Sequence, residues 1–307
     1  MPMLRTGFED LFFSRLPYMD TVFFENYRDY PELHSMIFDF NPSSKMREQF
    51  SQVVGLGLMQ ETTENEAYHA DNFLAGYDKA FTHVKHTMLV EMSEEVVEDD
   101  QDNIFSQVAR AMARSTLATK ETFYFNILNN GLSNIGTETA WDGSSIFNAT
   151  HAYVGGGSVS NYAAADLSPA NVETALTTFG DTTNHRGIPV MTQAATLWVP
   201  SALTFQADEI LKTPQVPYST ENTINAIQTT PFATGLTWKW SPYITDPNSW
   251  FMIADKGTHG LKGFMRRDIT LGADVDFDTG AAKRKGSMRF SGGCIDWIGT
   301  YGSSGSS

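Results

Sequence analysis

Two groups of histidines are the side chains of this sequence that could bind a metal ion. His83 and His86 are three residues apart in an alternating apolar and polar segment, and on a strand that spacing points them to opposite faces. His69 lies close to Glu66 and Asp71 in a polar, acidic stretch that favours a solvated loop tip. Neither group has the spacing of a ligand set, so we expect no metal site and no cofactor.

An acid–base pair and a glycine-rich segment also have the residue types of functional sites. Asp142 and His151 lack a nucleophile motif or an oxyanion loop beside them, so turn positions are the simpler interpretation. The GGGS segment at 155–158 is not followed by the Lys-Ser/Thr of a P-loop and does not lie between a strand and a helix, so we interpret it as a flexible loop and not as a phosphate site. Cys294 falls in a predicted strand and is expected to be a buried structural thiol. A hydrolase or lyase that uses Asp142 and His151 stays open as an alternative from another class.

Three consecutive cations, Lys283, Arg284 and Lys285, stand near the C-terminal end. Such a run can contact phosphate, but the chain has 21 Lys and Arg against 36 Asp and Glu, a formal charge of −15. The acids are concentrated in residues 1–100, which hold 19 acidic and 7 basic side chains. This asymmetry favours ion pairs between the basic run and an acidic surface of a neighbouring subunit, such as residues 91–102.

The overall composition excludes several classes of protein. Of the 307 residues, 41% are hydrophobic and 19% are charged, which allows a core and is not typical of a disordered chain. The negative charge argues against a dedicated nucleic-acid binder or a protein held to anionic lipid. The N-terminal segment has acids and a proline where a signal peptide is apolar, and no window approaches the roughly 18 apolar residues of a membrane span. We expect a soluble, acidic protein made in the cytosol.

The elements that must position these residues begin with an aromatic N-terminal segment, in which eleven of the first fifty residues are Phe or Tyr. Apolar residues at helical spacing predict a helix over 6–16 that ends at Pro17; they are Phe8, Leu11, Phe12 and Leu16. The irregular aromatic pieces beyond it cannot form a core alone. Docking of this segment on its own domain and docking on a neighbouring subunit are equally open.

Residues 53–92 predict a long β-hairpin. VVGLGLM is an apolar strand candidate, a polar and acidic excursion follows, and DKAFTHVKHTMLVEM alternates as the second strand. One face of the second strand is expected to carry Ala80, Val84, Met88, Val90 and Met92. The other face is expected to carry His83, Lys85, Thr87 and Glu91. A two-stranded arm is marginally stable alone, so it requires a surface to lie against.

Residues 99–130 predict the longest helix of the chain. Three acids suit its N-terminus through the helix dipole, and Asn129-Asn130-Gly131 is typical of a C-cap. The acids are Asp99, Asp100 and Asp102. The predicted apolar stripe consists of Ile104, Val108, Ala111, Met112, Ser115, Phe123, Ile127 and Leu128. At 1.5 Å per residue such a helix is about 45 Å long.

The remaining chain is predicted to be a mixed α/β region. A Gly/Ser/Asn-rich stretch forms loops up to about residue 165, and Ser168 and Pro169 then begin a second helix as N-cap and first residue. IPVMTQAATLWVP predicts a buried strand, and SALTFQADEILKT a third helix. We expect GLTWKWSPYITDPNSWFMIAD to form a hairpin, GSMRFSGGCIDWIGTYG a final strand, and SSGSS a flexible tail.

This order of elements resembles the major capsid protein of tailed bacteriophages with the Hong Kong 97-type fold. The amino-acid sequences of individual segments are most similar to the Mu-like major head subunit family. The similar segments span about 90–300. The first 90 residues match in composition and order of elements more than in amino-acid sequence. They are SEEVVEDDQD, FNILNNG, DGSSIFNATH, SNYAAADLSPANVETAL, GIPVMTQAATLWVPSAL, FQADEILKT and DPNSWFMIADKGTHGLKGFMRR.

The resemblance implies an α+β fold with an N-terminal arm, an extended-loop hairpin, a long spine helix in a peripheral domain, and an axial domain. The implied boundaries are 1–52 for the arm, 53–95 for the extended-loop hairpin, 96–165 for the peripheral domain with its spine helix, 166–280 for the axial domain, and 281–307 for the return to the peripheral domain and the flexible tail.

The implied function is structural and not enzymatic: self-assembly into hexamers and pentamers of an icosahedral head that encloses double-stranded DNA without sequence-specific binding. Because no long charged helix precedes the arm, the resemblance implies a separate scaffolding protein, with a portal and a decoration protein as further partners and no membrane. The subunit would belong to the virion and be made in the bacterial host cytoplasm. An encapsulin-type nanocompartment, which has the same subunit plan, is the alternative within this fold.

Contacts between subunits are the candidate site of such a protein. The residues chosen from the aromatic arm, the hairpin tip, the axial domain and the basic run are Phe12, Phe13, Phe23, Phe24, Tyr68, Phe73, Trp238, Trp240, Lys283, Arg284 and Lys285.

Overall fold

The computed structural model describes residues 6–93, 95–96, 103–215, 224–230, 233, 235–276 and 278–306. For residues 6–9 and 11 it describes the backbone alone, so the predicted packing of Phe8 and Leu11 lies outside the described side chains. The acids expected at the start of the long helix, Asp99, Asp100 and Asp102, also lie outside the described residues.

Five helices and thirteen strands make up the described part of the chain. The helices are α1 (Thr6–Asp29), α2 (His34–Ile37), α3 (Ile104–Asn129), α4 (Pro169–Asp181) and α5 (Thr204–Lys212). The strands are β1 (Asp39–Pro42), β2 (Arg47–Val54), β3 (Leu74–Thr82), β4 (Val84–Met92), β5 (His151–Ala152), β6 (Ser158–Val159), β7 (Tyr162–Ala163), β8 (Ala194–Val199), β9 (Thr237–Trp240), β10 (Trp250–Ala254), β11 (Leu261–Val275), β12 (Ala282–Cys294) and β13 (Thr300–Ser303). Two 3₁₀ turns, Ser201–Leu203 and Ala226–Gln228, accompany them.

The long helix α3 packs across a four-stranded sheet of order β1-β11-β12-β4. Its 26 residues correspond to a length of about 39 Å. Tyr124 of α3 stacks on Phe290 of β12, with ring centroids 5.7 Å apart, and Phe123 meets the same ring edge-on at 5.0 Å. Because side chains alternate along a strand, this places one face of β12 against the helix and leaves the other face of the sheet turned away from it.

The predicted apolar stripe of α3 was wrong by one position in the first half of the helix. Ala111 and Ser115 are exposed, whereas Phe105 and Ala109 are buried; Met112 is buried as predicted. The reason is that α1 covers this half of the helix and forms a second contact face with it, so that residues on both sides of the predicted stripe turn inward. In the second half, Ile127 and Leu128 are buried as predicted.

Helix α1 continues through Pro17 to Asp29, so the prediction that it ends at Pro17 was wrong. Proline removes one hydrogen bond and crowds the preceding turn, at a cost of about 3 kcal/mol. Apolar residues on both sides of Pro17, Phe12 before it and Met19 and Phe23 after it, are buried against α3. Each such side chain contributes about 1.5–3 kcal/mol, which outweighs the cost of the proline.

A five-stranded sheet of order β7-β13-β10-β8-β9 forms the second part of the fold, with α4 and α5 contributing to its core. Helix α4 begins as predicted: the Ser168 Oγ accepts a hydrogen bond from the Asn171 N–H at 3.3 Å, and Pro169 is the first helical residue. The buried strand β8 and the helix α5 also confirm their predictions.

The hairpin predicted from GLTWKWSPYITDPNSWFMIAD was wrong. β9 pairs in parallel with β8, and β10 pairs antiparallel with the opposite edge of β8, so that β8 lies between them. All five residues of β10 are buried, and a fully buried strand gains more from two paired neighbours than from one.

The hairpin predicted over 53–92 is formed in part. β2 and β3 pair antiparallel from Arg47↔Thr82 to Val54↔Leu74, on either side of the polar excursion. At His83 the second strand is interrupted, and β4 pairs with β12 in the other sheet. The interruption changes which side chains turn inward: Met88, Val90 and Met92 join the core as predicted, but Ala80 and Val84 are exposed and His83 is buried.

The predicted final strand is two strands in different sheets, β12 and β13, separated by a turn around Trp297. The end of the chain, predicted to be a flexible tail, packs on the α4 side of the fold. The Ser303 Oγ donates to the Ala165 carbonyl at 2.6 Å, and the Ser306 N–H donates to Asp166 at 2.8 Å.

Candidate assembly surfaces

The extended loop (residues 55–73) is the most exposed apolar segment of the described chain. It joins β2 to β3 at the end of a two-stranded ribbon. Tyr68 is 96% exposed, and Leu58, Met59 and Phe73 are also largely exposed. Tyr68 and Phe73, predicted as contact residues, therefore lie on the same loop, with Tyr68 almost fully and Phe73 about two-thirds exposed.

The base of the extended loop is tied to its own subunit by Arg186, which sequence reasoning missed. The Arg186 guanidinium donates to the Gly55 carbonyl at 3.1 Å and to the Asp71 carboxylate at 3.2 Å. The Gly57 N–H donates to the same carboxylate at 2.7 Å. That N–H, more than the guanidinium, holds the pKa of Asp71 below its ordinary value. No local sequence signal points to Arg186, because it lies more than a hundred positions along the chain.

The aromatic pairs of α1 are divided between the core and the surface. Phe12 and Phe23 are 0% and 1% exposed and pack α1 on its own subunit. The rings of Phe13 and Phe24 contact those of Phe12 and Phe23, at 5.6 and 5.2 Å between centroids, and are themselves partly exposed. In this structure the arm docks on its own domain, and of the four predicted contact residues in α1, Phe13 and Phe24 are the ones that remain accessible to a neighbour.

The basic run finds its acidic partners within the subunit. Lys283 lies between Glu91, at 3.3 Å, and Asp276; the hydrogen bonds to Asp276 and then to Glu91 raise the pKa of Lys283. Arg284 is buried and forms an ion pair with Asp20 of α1. The expected pairing with an acidic surface of a neighbour is therefore corrected for these two residues: β12 brings Lys283 beside Glu91 and the nearby Asp276, and Arg284 beside Asp20. Lys285 is exposed.

The two predicted tryptophans border a groove of about 420 Å³ on the five-stranded sheet. Trp240 is half exposed, and Phe205 of α5 is almost fully exposed on the rim. The Trp238 Nε1–H donates to Asp208 at 3.0 Å, and Lys212 pairs with the same carboxylate at 2.6 Å. Trp238 is thus held by its own subunit, and Trp240 is the more accessible of the two.

Asp142 and His151 are brought together, at 2.7 Å, but in the interior of the protein. The His151 Nε2 faces the Asn161 side-chain oxygen at 3.1 Å and the Ile146 carbonyl at 3.2 Å. Burial acts to raise the pKa of Asp142, but the hydrogen bond and charge of His151 outweigh it and leave the pKa below its ordinary value. Both side chains are at most 1% exposed, so the pair ties the loops around it together and has no contact with solvent.

Asp296 lies near this pair, and burial raises its pKa to about 6. A carboxyl group with a raised pKa destabilises the folded state as the pH increases from about 4 to above 6, because the unfolded chain ionises more readily. We expect Asp296→Asn to raise the free energy of unfolding at pH 8 by about 1–2 kcal/mol. This is less than the full pKa shift would give, because the residue keeps some solvent exposure and solvent screens its charge. Asparagine retains an oxygen for the Ile298 N–H, 3.1 Å from Oδ1.

Urea unfolding at pH 4 and pH 8, followed by tryptophan fluorescence, checks this expectation. The variant and the wild type should differ at pH 8 and converge at pH 4. An unchanged difference between the two pH values would contradict the assignment to Asp296.

Neither a metal centre nor a membrane-spanning helix is found in the described part of the chain. No group of three or more His, Cys, Asp or Glu side chains comes together in a way that could hold a metal ion there. Among the described helices, none combines the length and apolarity needed to cross a bilayer. His83 and His86 are engaged separately, the first with Ser43 and Ser291 and the second by stacking on Phe290 at 4.6 Å.

Solved shell proteins share this fold. The chain is similar to the capsid protein of bacteriophage JBD30, with a TM-score of 0.57 and 12% identity over 70% of this chain and 92% of that chain. A structure from Mycobacterium phage Patience gives 0.56 and 12%, over 98% and 88%. A virus-like particle from Pyrococcus furiosus gives 0.53 and 9%, over 92% and 97%. These similarities confirm the predicted Hong Kong 97-type capsid fold; no curated protein is significantly similar in sequence.

Sequence comparison with protein families leads to the same class of protein. The model of the family described as phage capsid protein matches residues 76–303, from strand β3 to the end of strand β13. Because this match covers about three quarters of the chain, and the chain has the fold of solved shell proteins, the chain belongs to the phage capsid protein family and is a structural subunit of a capsid.

Proposed function

We propose that this subunit forms hexameric and pentameric capsomers of an icosahedral head, in which the extended loop of each copy lies on the adjacent copy. The observation that carries the proposal is the exposure of Leu58, Met59, Tyr68 and Phe73 at the end of a two-stranded ribbon. A two-stranded ribbon is only marginally stable by itself, and an exposed apolar patch at its end is typical of a site that binds another protein surface. A shell supplies that surface in every copy through repeated symmetric contacts.

The remaining contact candidates belong to the same proposal. The partly exposed Phe13 and Phe24 of α1, Trp240 on the groove rim and the exposed Lys285 are available to neighbouring copies. Phe12, Phe23 and Arg284 act through the subunit's own core, where they position α1 on α3 and β12.

The proposed division of the subunit follows the boundaries expected from the sequence. Its parts are an arm (1–52), an extended-loop hairpin (53–95), a peripheral domain (96–165), an axial domain (166–280) and a returning segment (281–307). The five-stranded sheet with α4 and α5, which has its own apolar cluster around Val172 and Trp250, supports a distinct axial part. The sheets also cross two of these boundaries: β11 pairs with β12 in the four-stranded sheet, and β13 lies in the five-stranded sheet.

The finer identity is a Mu-like major head subunit, made in the host cytoplasm, that encloses double-stranded DNA. Segments such as FNILNNG and DPNSWFMIADKGTHGLKGFMRR support the Mu-like assignment. The charge of −15 suits a container that does not grip DNA tightly. A scaffolding protein, a portal and a decoration protein complete the proposed set of partners.

Sedimentation velocity followed by electron microscopy tests the proposal on the full chain, alone and co-expressed with the neighbouring head genes. We expect closed shells of uniform diameter or capsomer-sized rings. A chain that stays monomeric beside its scaffolding protein would contradict the proposal. Shells that carry a protein cargo in place of nucleic acid would instead support the nanocompartment alternative.

A further inference from the structure

Four cations crowd one face of the four-stranded sheet, and we call them the cation row: Lys85, Arg266, Arg267 and Arg289. Lys85 of β4 is the direct cross-strand neighbour of Arg289 on β12, and Arg289 is in turn the neighbour of Arg267 on β11. Arg266 lies beside them, in an irregularity of the pairing between Met265 and Arg267. Together with His83 they line a shallow cavity of about 470 Å³.

The cation row has no acidic partner in the described part of its own subunit. The ion pairs formed by described carboxylates involve other cations. Arg267 donates to the Ser287 hydroxyl at 2.9 Å, and Arg289 to the His83 carbonyl at 3.4 Å. The Arg266 Nη1 is buried and has no hydrogen-bond partner. Like charges directly opposite each other destabilise a sheet, so this arrangement favours an anionic ligand.

The groups that surround the cation row leave its charge uncompensated. His83 uses both ring nitrogens, at 3.0 Å from the Ser43 hydroxyl and 3.0 Å from the Ser291 hydroxyl. Burial, and then the charge of Arg266, holds the pKa of His83 below its ordinary value. Glu48, the nearby acid, accepts from Ser43 at 2.6 Å and pairs with Lys45. Its carboxylate is therefore already engaged.

The cation row lies on the face of the sheet that α3 does not cover. Its neighbours along β12, Met288 and Phe290, are directed toward α3, so Arg289 between them points the other way. Lys85 and Arg267 are exposed. The row is thus open to a ligand from outside the subunit.

An acidic segment of matching character exists in the chain itself. The extended loop carries Glu61, Glu64, Glu66 and Asp71 and neither Lys nor Arg. Asp71 is used by Arg186, and Glu66 accepts from Thr63 at 2.8 Å, whereas Glu61 and Glu64 are exposed. The chain between the extended loop and Lys85 of the same copy is about 40 Å long and consists mainly of β3. Arg186 holds the loop at the end of the ribbon that is remote from Lys85.

We infer that the cation row is the binding site for the carboxylates of the extended loop of a second copy, with Glu61 and Glu64 as its principal ligands. The inference rests on the proposed function, and it names the surface on which the extended loop docks. Carboxylates fit a guanidinium site because two parallel N–H···O bonds can form with each arginine. The apolar residues of the loop would then be covered by the same contact that neutralises the row.

A charge-swap experiment on the full chain, assembled with its scaffolding protein, tests the inference. The row variant is Arg267→Glu with Arg289→Glu, the loop variant is Glu61→Arg with Glu64→Arg, and the swap combines all four. We expect each double variant to lower shell yield at least about tenfold, and the swap to restore it to within about threefold of the wild type. The matched control, Arg110→Glu with Lys256→Glu, makes the same charge change elsewhere and should assemble as the wild type does.

Each of the other outcomes contradicts a specific part of the inference. A row variant that assembles normally would overturn it, provided that circular dichroism shows every variant folded. A row variant that fails to assemble and is not rescued by the loop variant would mean that the row binds another anion. Binding of a fluorescent DNA duplex by the wild type and not by the row variant would then identify phosphate as the ligand. A wild-type chain that forms no shells would count against the proposed function and not against this site alone.

Discussion

A subunit in which residues 56–72 are replaced by a three-residue glycine–serine turn is expected to fold and to form no closed shells. The register of β2 and β3 ends at Val54↔Leu74, so a short turn can join the strands without disturbing their pairing. The change removes Leu58, Met59 and Tyr68, which are exposed in the subunit. Full burial of an apolar side chain contributes about 1.5–3 kcal/mol, so each contact would lose several kcal/mol and shell yield should fall more than about a hundredfold.

Sedimentation velocity and electron microscopy of the shortened subunit, co-expressed with its scaffolding protein, measure this loss. Met191→Asn is the matched control, because Met191 is equally exposed and has a left-handed backbone, with φ 56°, that asparagine adopts readily. The control should assemble normally. Normal shells from the shortened subunit would show that the extended loop is dispensable and would contradict the proposed contact.

Asp142→Ala is expected to lower the free energy of unfolding by about 3–5 kcal/mol, because it leaves the His151 side chain buried without its charged partner. The folded pKa of Asp142 lies below its unfolded value. The stabilisation should therefore be present above about pH 4 and be lost as the pH falls below it. Urea unfolding of the dissociated subunit at pH 7 measures the effect.

The control for this variant is Asp181→Ala, which removes an exposed carboxylate at the end of α4 and should change stability by less than about 0.5 kcal/mol. Equal stability of Asp142→Ala and the wild type would show that the buried pair contributes nothing. A hydrolytic activity that disappears in Asp142→Ala while stability is kept would instead support the enzyme alternative.

Local elements with their own signals were predictable from the sequence. The start of α4 needed only Ser168 as a cap and Pro169 as the first residue, because capping is decided within one turn of helix. Strand β8 followed from a run of apolar residues bounded by Pro189 and Pro200. The hairpin around the extended loop was predictable in part, since a polar excursion between two strand candidates favours it. The predicted first strand, VVGLGLM, was mostly wrong: only Val53 and Val54 belong to β2, and residues 55–59 lie in the loop.

Elements that depend on distant partners were predicted less well. Helix α1 passes Pro17 because α3, nearly a hundred residues later, covers the apolar side chains on both sides of the proline. β9 and β10 are separated by β8, which a reading of adjacent segments cannot place between them. In each case the local preference exists, but the packing of elements distant in sequence contributes a larger free energy in the opposite direction.

The candidate site shows the same division. Tyr68 and Phe73 were chosen because the resemblance places them at the tip of the extended-loop hairpin, and the structure leaves both exposed. Phe12 was predicted both in the apolar stripe of the first helix and as a contact residue for a neighbour, and its packing on α3 decides between the two by burying it.

The class of this protein was predictable from its residues alone: an acidic chain whose ordered segments resemble a phage capsid subunit, with helices and loops specified by caps, turns and apolar periodicity. The tertiary structure decided which charges are compensated. It pairs Arg284 with Asp20 and His151 with Asp142, and it gathers Lys85, Arg267 and Arg289 on three neighbouring strands, where no described carboxylate forms an ion pair with them. The energy of a charge depends on its distance to other charges and on its burial, and strand register and helix packing set both for residues as far apart in sequence as Asp20 and Arg284.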